Sequence, residues 1–204
     1  MPIGIKNNQK VADLPKTDLQ IISFVSQDHF QSWMEENFLL TEGIWVRFYK
    51  KDALTRSINY DETLDVALCY GWIDGQVKKY DELSYIRKFT PRRSKSMWSK
   101  RNKEHVTRLE KENRMKPSGI SEVERAKNDG RWDKGYDSPS QMMVPDDFML
   151  ELSKNIIAFE FYESLNKTNK YTIGWRLQTA KNAEIREKRF KEMLIMMEKG
   201  EKFH

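Results

Sequence analysis

The sequence predicts an α+β protein: a small mixed or antiparallel sheet of about four strands, arranged β-α-β-α-β-β, followed by a C-terminal helical half. Three observations lead there. Short runs of β-branched and aromatic residues all stand before Pro91. Beyond it, apolar residues recur at spacings of three and four, the period of a helix. Helix-capping residues separate the segments throughout.

Residues 19–24 form the first β-like run, and Ser26 then stands where it caps a helix bearing Phe30, Trp33, Met34 and Phe38 on one side. Gly43 ends the next turn, and Ile44-Trp-Val-Arg-Phe-Tyr49 has the composition of a strand. Asn59 with Glu62 is a capping box, opening a helix whose stripe is Leu64, Ala67 and Leu68 and which Gly71 closes. Residues 72–79 and 84–89 flank the turn-like Tyr80-Asp-Glu-Leu83 and read as a hairpin. Ser99 caps a helix reaching about Asn113; Ser121 with Glu124 opens another that Gly130 stops. Pro145 with Asp146 and Asp147 suits a further helix start. Helices over about 170–181 and 183–199 complete the chain, the last with Phe190, Met193, Leu194 and Met197 as its apolar stripe. The expected organisation is a flexible leader (1–18), an α+β core with the basic region (19–132) and a helical module (145–202) packed on the core as one body. Residues 133–144 are the linker candidate.

With 204 residues, six Trp, eight Tyr and ten Phe, the chain has enough bulky apolar material to fold despite being 33% charged. Cys69 is the only cysteine, which excludes an intramolecular disulfide and a Cys-based zinc site. The N-terminal MPIGIKNNQK lacks a secretory pattern, and no apolar run approaches the ~18 residues of a membrane span, so a cytoplasmic protein is expected.

Net charge is only +5, but its distribution is uneven. From Arg87 to Lys103 stand eight cations and no acid, so the rest of the chain carries a net negative charge. Lys100, Arg101 and Lys103 fall in the first turn of the helix after Ser99, where the dipole already places positive charge. A phosphate or carboxylate would relieve that repulsion. Arg92, Arg93, Lys95, Trp98, Lys100, Arg101 and Asn102 are therefore the candidate ligand-binding residues, with guanidinium forks and aromatic faces interleaved. The competing reading has Asp74, Asp81 or Glu82 across the hairpin neutralise these bases. No Gly-rich phosphate loop is present; Gly71 and Gly75 lack that pattern.

Catalytic signals are sparse. His29, His105 and His204 are scattered, and neither a metal nor a cofactor is expected. Cys69 falls at a helix end, where the dipole disfavours thiolate, and reads as a small buried hydrophobe. Asp74 is the candidate catalytic residue as a carboxylate acid/base, set against a role anchoring Arg92 or Arg93. Trp72, Trp132 and Trp175 are assigned to packing.

Leu68-Cys-Tyr-Gly-Trp-Ile-Asp-Gly75, then Phe89-Thr-Pro-Arg-Arg93, Trp98-Ser99, Asn102 and Met115-Lys-Pro117 with Gly119 form a string that resembles the YdeI/OmpD-associated (OmdA-type) family of bacteriocin-protection proteins. Pro145-Asp-Asp147, Phe159, Phe161, Ala180-Lys181, Glu184 and Arg186-Glu-Lys-Arg189 look like that family's C-terminal module, so the likeness covers about 20–200. It implies a bacterial protein linked to antimicrobial-peptide resistance and envelope stress, with no established reaction, and a periplasmic location has been proposed for the family. The family's Glu-Thr-Arg reads Glu184-Ile185-Arg186 here, so no role of that threonine carries over.

Three function classes stay open: a binding protein for an anionic small molecule or nucleic acid, an enzyme using Asp74 on a small anion, and a protein-interaction module docking through Met193, Met196 and Met197. The sequence does not fix the oligomeric state.

Overall fold

A computed structural model describes residues 19–137 and 141–203; the expected leader and positions 138–140 of the linker candidate lie outside the described residues. The chain divides into two compact units, Met1–Ser94 with His105–Arg125, and Lys95–Glu104 with Ala126–His204. The elements run β1 (Ile21–Ser23), α1 (Gln27–Asn37), β2 (Ile44–Tyr49), α2 (Tyr60–Cys69), β3 (Trp72–Lys79), β4 (Ser84–Pro91), α3 (Lys100–Lys111), α4 (Pro117–Asn128), α5 (Asp146–Leu152), α6 (Ile156–Ser164), α7 (Lys167–Gln178) and α8 (Ala183–Glu198). This is the α+β order read from the sequence. The boundary between the units falls within α3 and within α4.

The first unit holds a mixed sheet of strand order β1-β2-β4-β3. β1 pairs parallel with β2, and α1 supplies the crossover that parallel strands require. The other pairs are antiparallel. Register sets Ile44 opposite Phe89, Val46 opposite Arg87 and Phe48 opposite Tyr85, which puts these six side chains on one face. α1 contributes Phe30 against Phe89, ring centroids 6.3 Å apart, and Trp33 edge-on to Trp72 at 6.2 Å. Trp72 is fully buried and donates its indole N–H to the Phe38 carbonyl at 2.8 Å, so the core aromatic brings no unpaired donor inside. The predicted caps are present: Ser26 accepts from His29 N–H at 3.2 Å, and Asn59 with Glu62 forms the reciprocal box on α2.

α4 starts at Pro117 rather than Ser121. Proline lacks the N–H that a first helical turn leaves unpaired, so it opens the helix one turn before the capping pattern chosen from the sequence. That earlier start presses Gly119 onto the end of α2. A Cβ on Gly119 would lie 2.2 Å from the Cys69 carbonyl oxygen, which also accepts from Lys116 N–H at 3.0 Å.

In the second unit, Phe148, Leu152, Ala158, Tyr162, Leu165, Ile173, Leu177, Met193 and Met197 pack into one core. The methionine stripe of α8 is therefore interior: Met193 and Met197 are 1% and 0% exposed, which removes it as a docking face. The sequence marks no boundary between α5 and α6, yet the helix breaks at 153–155 and Asn155 caps α6, accepting from the N–H groups of Ile157 and Ala158. Asn166 and Asn182 cap α7 and α8 in the same way. Arg186 clasps Asp147 with two contacts, 2.9 and 2.8 Å, tying the first turn of α8 to that of α5.

Gly119→Ala is expected to destabilise the protein by about 2–3 kcal/mol, as for other forced overpacking. Urea unfolding measures it, and an unchanged midpoint would show that α4 does not depend on this approach.

Candidate functional site

The basic segment is divided between the units. Arg92 and Arg93 belong to the first, while Lys95, Trp98, Lys100, Arg101 and Asn102 belong to the second. Arg92 is 6% exposed and its N–H donates to the Gly71 carbonyl at 3.0 Å, so it sits in the scaffold where β4 ends; Arg93 is exposed.

In the second unit the start of α3 is held by a backbone seam. Tyr136 N–H donates to the Trp98 carbonyl at 3.1 Å and Lys100 N–H donates to the Tyr136 carbonyl at 2.8 Å, making a parallel bridge between Ser99 and Tyr136. Ser99 caps the helix as expected, its hydroxyl accepting from Asn102 N–H at 3.1 Å and its carbonyl from Lys103 N–H at 3.1 Å. Asn102 is buried beneath that cap. Trp98, at 1% exposure, lies inside and meets the half-buried Trp132 at 5.0 Å between ring centroids and 61° between planes. Trp98 is thus the support of a second tryptophan rather than a surface platform.

The cations of that first turn have different surroundings. Lys100 Nζ lies 2.6 Å from Asp137, whose other oxygen accepts from Gln178 at 3.0 Å. The Lys100 hydrogen bond, then that from Gln178, holds the Asp137 carboxyl below its ordinary range against the opposing effect of burial. The repulsion inferred from the sequence is relieved at this position by an internal carboxylate. Lys103 makes no ion pair among the described residues; its ammonium lies 5.4 Å from the Trp132 ring centroid, and Lys127 stands 5.3 Å from the same ring. The Lys103 stem runs beside Gly135, where a Cβ would come within 3.0 Å of its Cδ. Lys95 and Arg101 are exposed.

The first unit holds two further charged clusters. Asp74 pairs with Arg87, not with Arg92 or Arg93, and accepts from the Tyr60 hydroxyl at 2.9 Å. The register explains the partner. Asp74 lies opposite Phe89, and Arg87, two residues along β4 on the same face, is its diagonal neighbour. Arg87 also lies over the Tyr60 ring at 4.2 Å. Asp81 and Glu82 pair with Arg47 and Lys79 instead, so Asp74 alone of the three expected acids takes a member of the basic run.

The second cluster was not foreseen. Asp65 is 8% exposed on α2 and receives His105 Nδ1 at 2.7 Å and Arg108 Nη2 at 2.6 Å to each oxygen, with Glu112 on the other side of Arg108 at 3.1 Å. Its hydrogen bonds with Asp65 and then Glu112 push the Arg108 guanidinium pKa upward. The available signal was Asp65 itself, a carboxylate between Leu64 and Val66 in a buried stripe, which requires a partner. Two carboxylates against two guanidinium groups, counting Arg114 at 3.1 Å from Glu112, make this a closed clasp of α2 to α3. Cys69 nearby is 4% exposed, and burial pushes its thiol up to about 11. No group of three metal-ligating side chains occurs among the described residues, and no helix among them is long and apolar enough to cross a membrane.

Two outcomes follow. Because the folded Asp137 pKa is depressed, its stabilisation is present above its ordinary value of 3.8 and disappears as pH falls through the folded value. Asp137→Asn should therefore be less stable than the parent near pH 7, with the gap closing as pH falls through the depressed folded pKa of Asp137; a gap independent of pH would contradict the pair. Cys69, held as a buried thiol, should react with an aromatic disulfide reagent at about pH 8 far more slowly in the native protein than in denaturant. Equal rates would show it to be accessible.

Residues 22–122 match a family model described as a domain of unknown function (DUF8412). Residues 141–200 match a second model, described as Bacteriocin-protection, YdeI or OmpD-Associated. The searches of curated proteins and of solved structures each found no match. The family likeness read along most of the sequence is thus carried by its last third, while the string from Leu68 to Gly119 falls within the other model. Over residues 141–200, this chain is similar to the YdeI/OmpD-associated, bacteriocin-protection family.

Proposed function

We propose that this bacteriocin-protection-type protein binds a phosphate-bearing anion at the start of α3, through Lys95, Arg101 and Lys103, with Lys100 beside them. The observation that carries the reading is Lys103: a lysine in the first turn of a helix, facing the positive end of the dipole, with no carboxylate partner among the described residues. An anion bound there would meet that cation together with the exposed charges of Lys95 and Arg101. Trp98 and Asn102 serve the same site from inside, one as support and one beneath the cap. Arg92 and Arg93, also expected from the sequence to bind, belong to the first unit and are no part of this site. The alternative in which Asp74 works as an acid or base gains nothing from its surroundings, since Arg87 and Tyr60 already occupy its carboxylate.

Inorganic pyrophosphate at a hundredfold excess over Kd should stabilise the protein by about 2.7 kcal/mol, raising Tm by roughly 5–10 °C for a chain of this size. The rise should shrink with added salt and be lost in Arg101→Ala/Lys103→Ala while persisting in Arg93→Ala. No rise in the parent, or an equal rise in the double variant, would contradict the assignment. Loss in Arg93→Ala alone would move the binding site to the first unit.

A further inference from the structure

We infer that the face of the sheet turned away from α1 binds a phosphate group, held by Lys78 and Lys88 with the Trp45 indole N–H as a further donor. This site belongs to the first unit and does not rest on the reading of α3 above. The register brings its residues together. Trp45 on β2 lies directly opposite Lys88 on β4, and Lys78 on β3 lies opposite Ile86, two residues along β4 from Lys88. All four side chains therefore share one face, the reverse of that carrying Ile44 and Phe89, where Phe30 of α1 packs. The Lys78 ammonium stands 5.1 Å from the centroid of the Trp45 ring, so its stem crosses β4 at Ile86, which is 0% exposed.

An unmatched donor marks the site. Trp45 is 1% exposed, and its Nε1 finds no hydrogen-bond partner among the described residues. The buried Trp72 of the same sheet, by contrast, donates to the Phe38 carbonyl. A buried donor without an acceptor is a standing cost to the fold, and an acceptor supplied by a ligand removes it. The cations beside it are unmatched as well. Arg47, on the same face, is taken by Asp81 at 2.6 Å, and Glu82 is taken by Lys79. Lys78 and Lys88 are half-buried, and neither has a carboxylate partner among the described residues. Two like charges in partly desolvated surroundings repel one another, and an anion between them turns that repulsion into attraction. Charge and acceptor count then select the anion. A phosphate group, close to doubly negative at about pH 7, matches both ammonium groups and has oxygens enough for the lysines and the indole together. A carboxylate would leave one ammonium uncompensated.

Proton–nitrogen correlation spectra of the full-length protein, titrated with inorganic phosphate, phenyl phosphate and acetate, test this at a single atom. The Trp45 indole N–H is assigned through its own backbone amide, so no tryptophan variant is needed. Its cross-peak should move saturably with inorganic phosphate, and acetate should bind about tenfold or more weakly. Lys78→Gln/Lys88→Gln should weaken phosphate by about tenfold or more, the worth of lost charge-assisted hydrogen bonds, while the amides of α1 and α2 keep their positions. Lys88→Gln alone carries the same test if the pair does not fold. Comparable saturation by phenyl phosphate assigns the site to a phosphate group carried on a larger molecule, and saturation by inorganic phosphate alone assigns it to the free ion; both support the inference. A Trp45 peak that stays in place while the amides of Ser99 to Lys103 respond overturns this site and leaves the one on α3 standing. Equal affinity for acetate, or unchanged phosphate affinity in the lysine variants, also overturns it.

Discussion

The pairing of Trp98 and Lys100 with Tyr136 is the constraint on which the candidate site depends. Two backbone hydrogen bonds of 3.1 and 2.8 Å fix the residues just before α3 against the segment that follows Trp132. Without them, Lys100 and Lys103 would be two more solvated cations on a polar helix. With them, Asp137 is delivered to Lys100, Trp132 is set against Trp98, and Gly135 lies along the Lys103 stem. Arg131 reinforces the same junction, donating to the Ser96 carbonyl at 2.6 Å. Loop and helix start are thus one structural element, formed from residues that lie far apart in the chain, as Ser99 and Tyr136 do.

Partnering decides which parts of a basic run are available for binding. Asp74 engages Arg87 and Asp137 engages Lys100, each pair partly withdrawn from water. Such pairs lose more when one member is removed than they gain by forming, so they hold position rather than recruit ligand. Asp65 does the same for His105 and Arg108 in the first unit. Lys103 falls outside this scheme, held by an indole, and that distinction, rather than the net charge of +5, separates a binding candidate from scaffold.

Much of the fold was legible because local signals and packing agree. Ser26, Asn59 with Glu62, and Ser99 cap the helices where their spacing indicated, and the turn Tyr80-Asp-Glu-Leu83 joins the two strands of the expected hairpin. Pro117 was equally local but was outweighed by a capping box one turn later, and Asn155, the cap of α6, was not read as a helix start. The site was less legible for a different reason. Lys100 and Asp137, Lys103 and Trp132, Asp65 and His105 are each brought together by tertiary structure, and no spacing rule joins them. Trp98 shows the same limit in reverse: among cations it resembles a stacking residue, yet it is buried against the more open ring of Trp132.

The central claim is that the start of α3, with the segment paired to it, receives phosphate. Amide chemical-shift mapping of the full chain during titration with inorganic pyrophosphate addresses it residue by residue. The account predicts that the largest saturable shifts fall on Ser99 to Lys103 and Arg131 to Asp137, with the Trp132 indole N–H among them. Shifts confined to the sheet of the first unit, or no saturable shift, would contradict it.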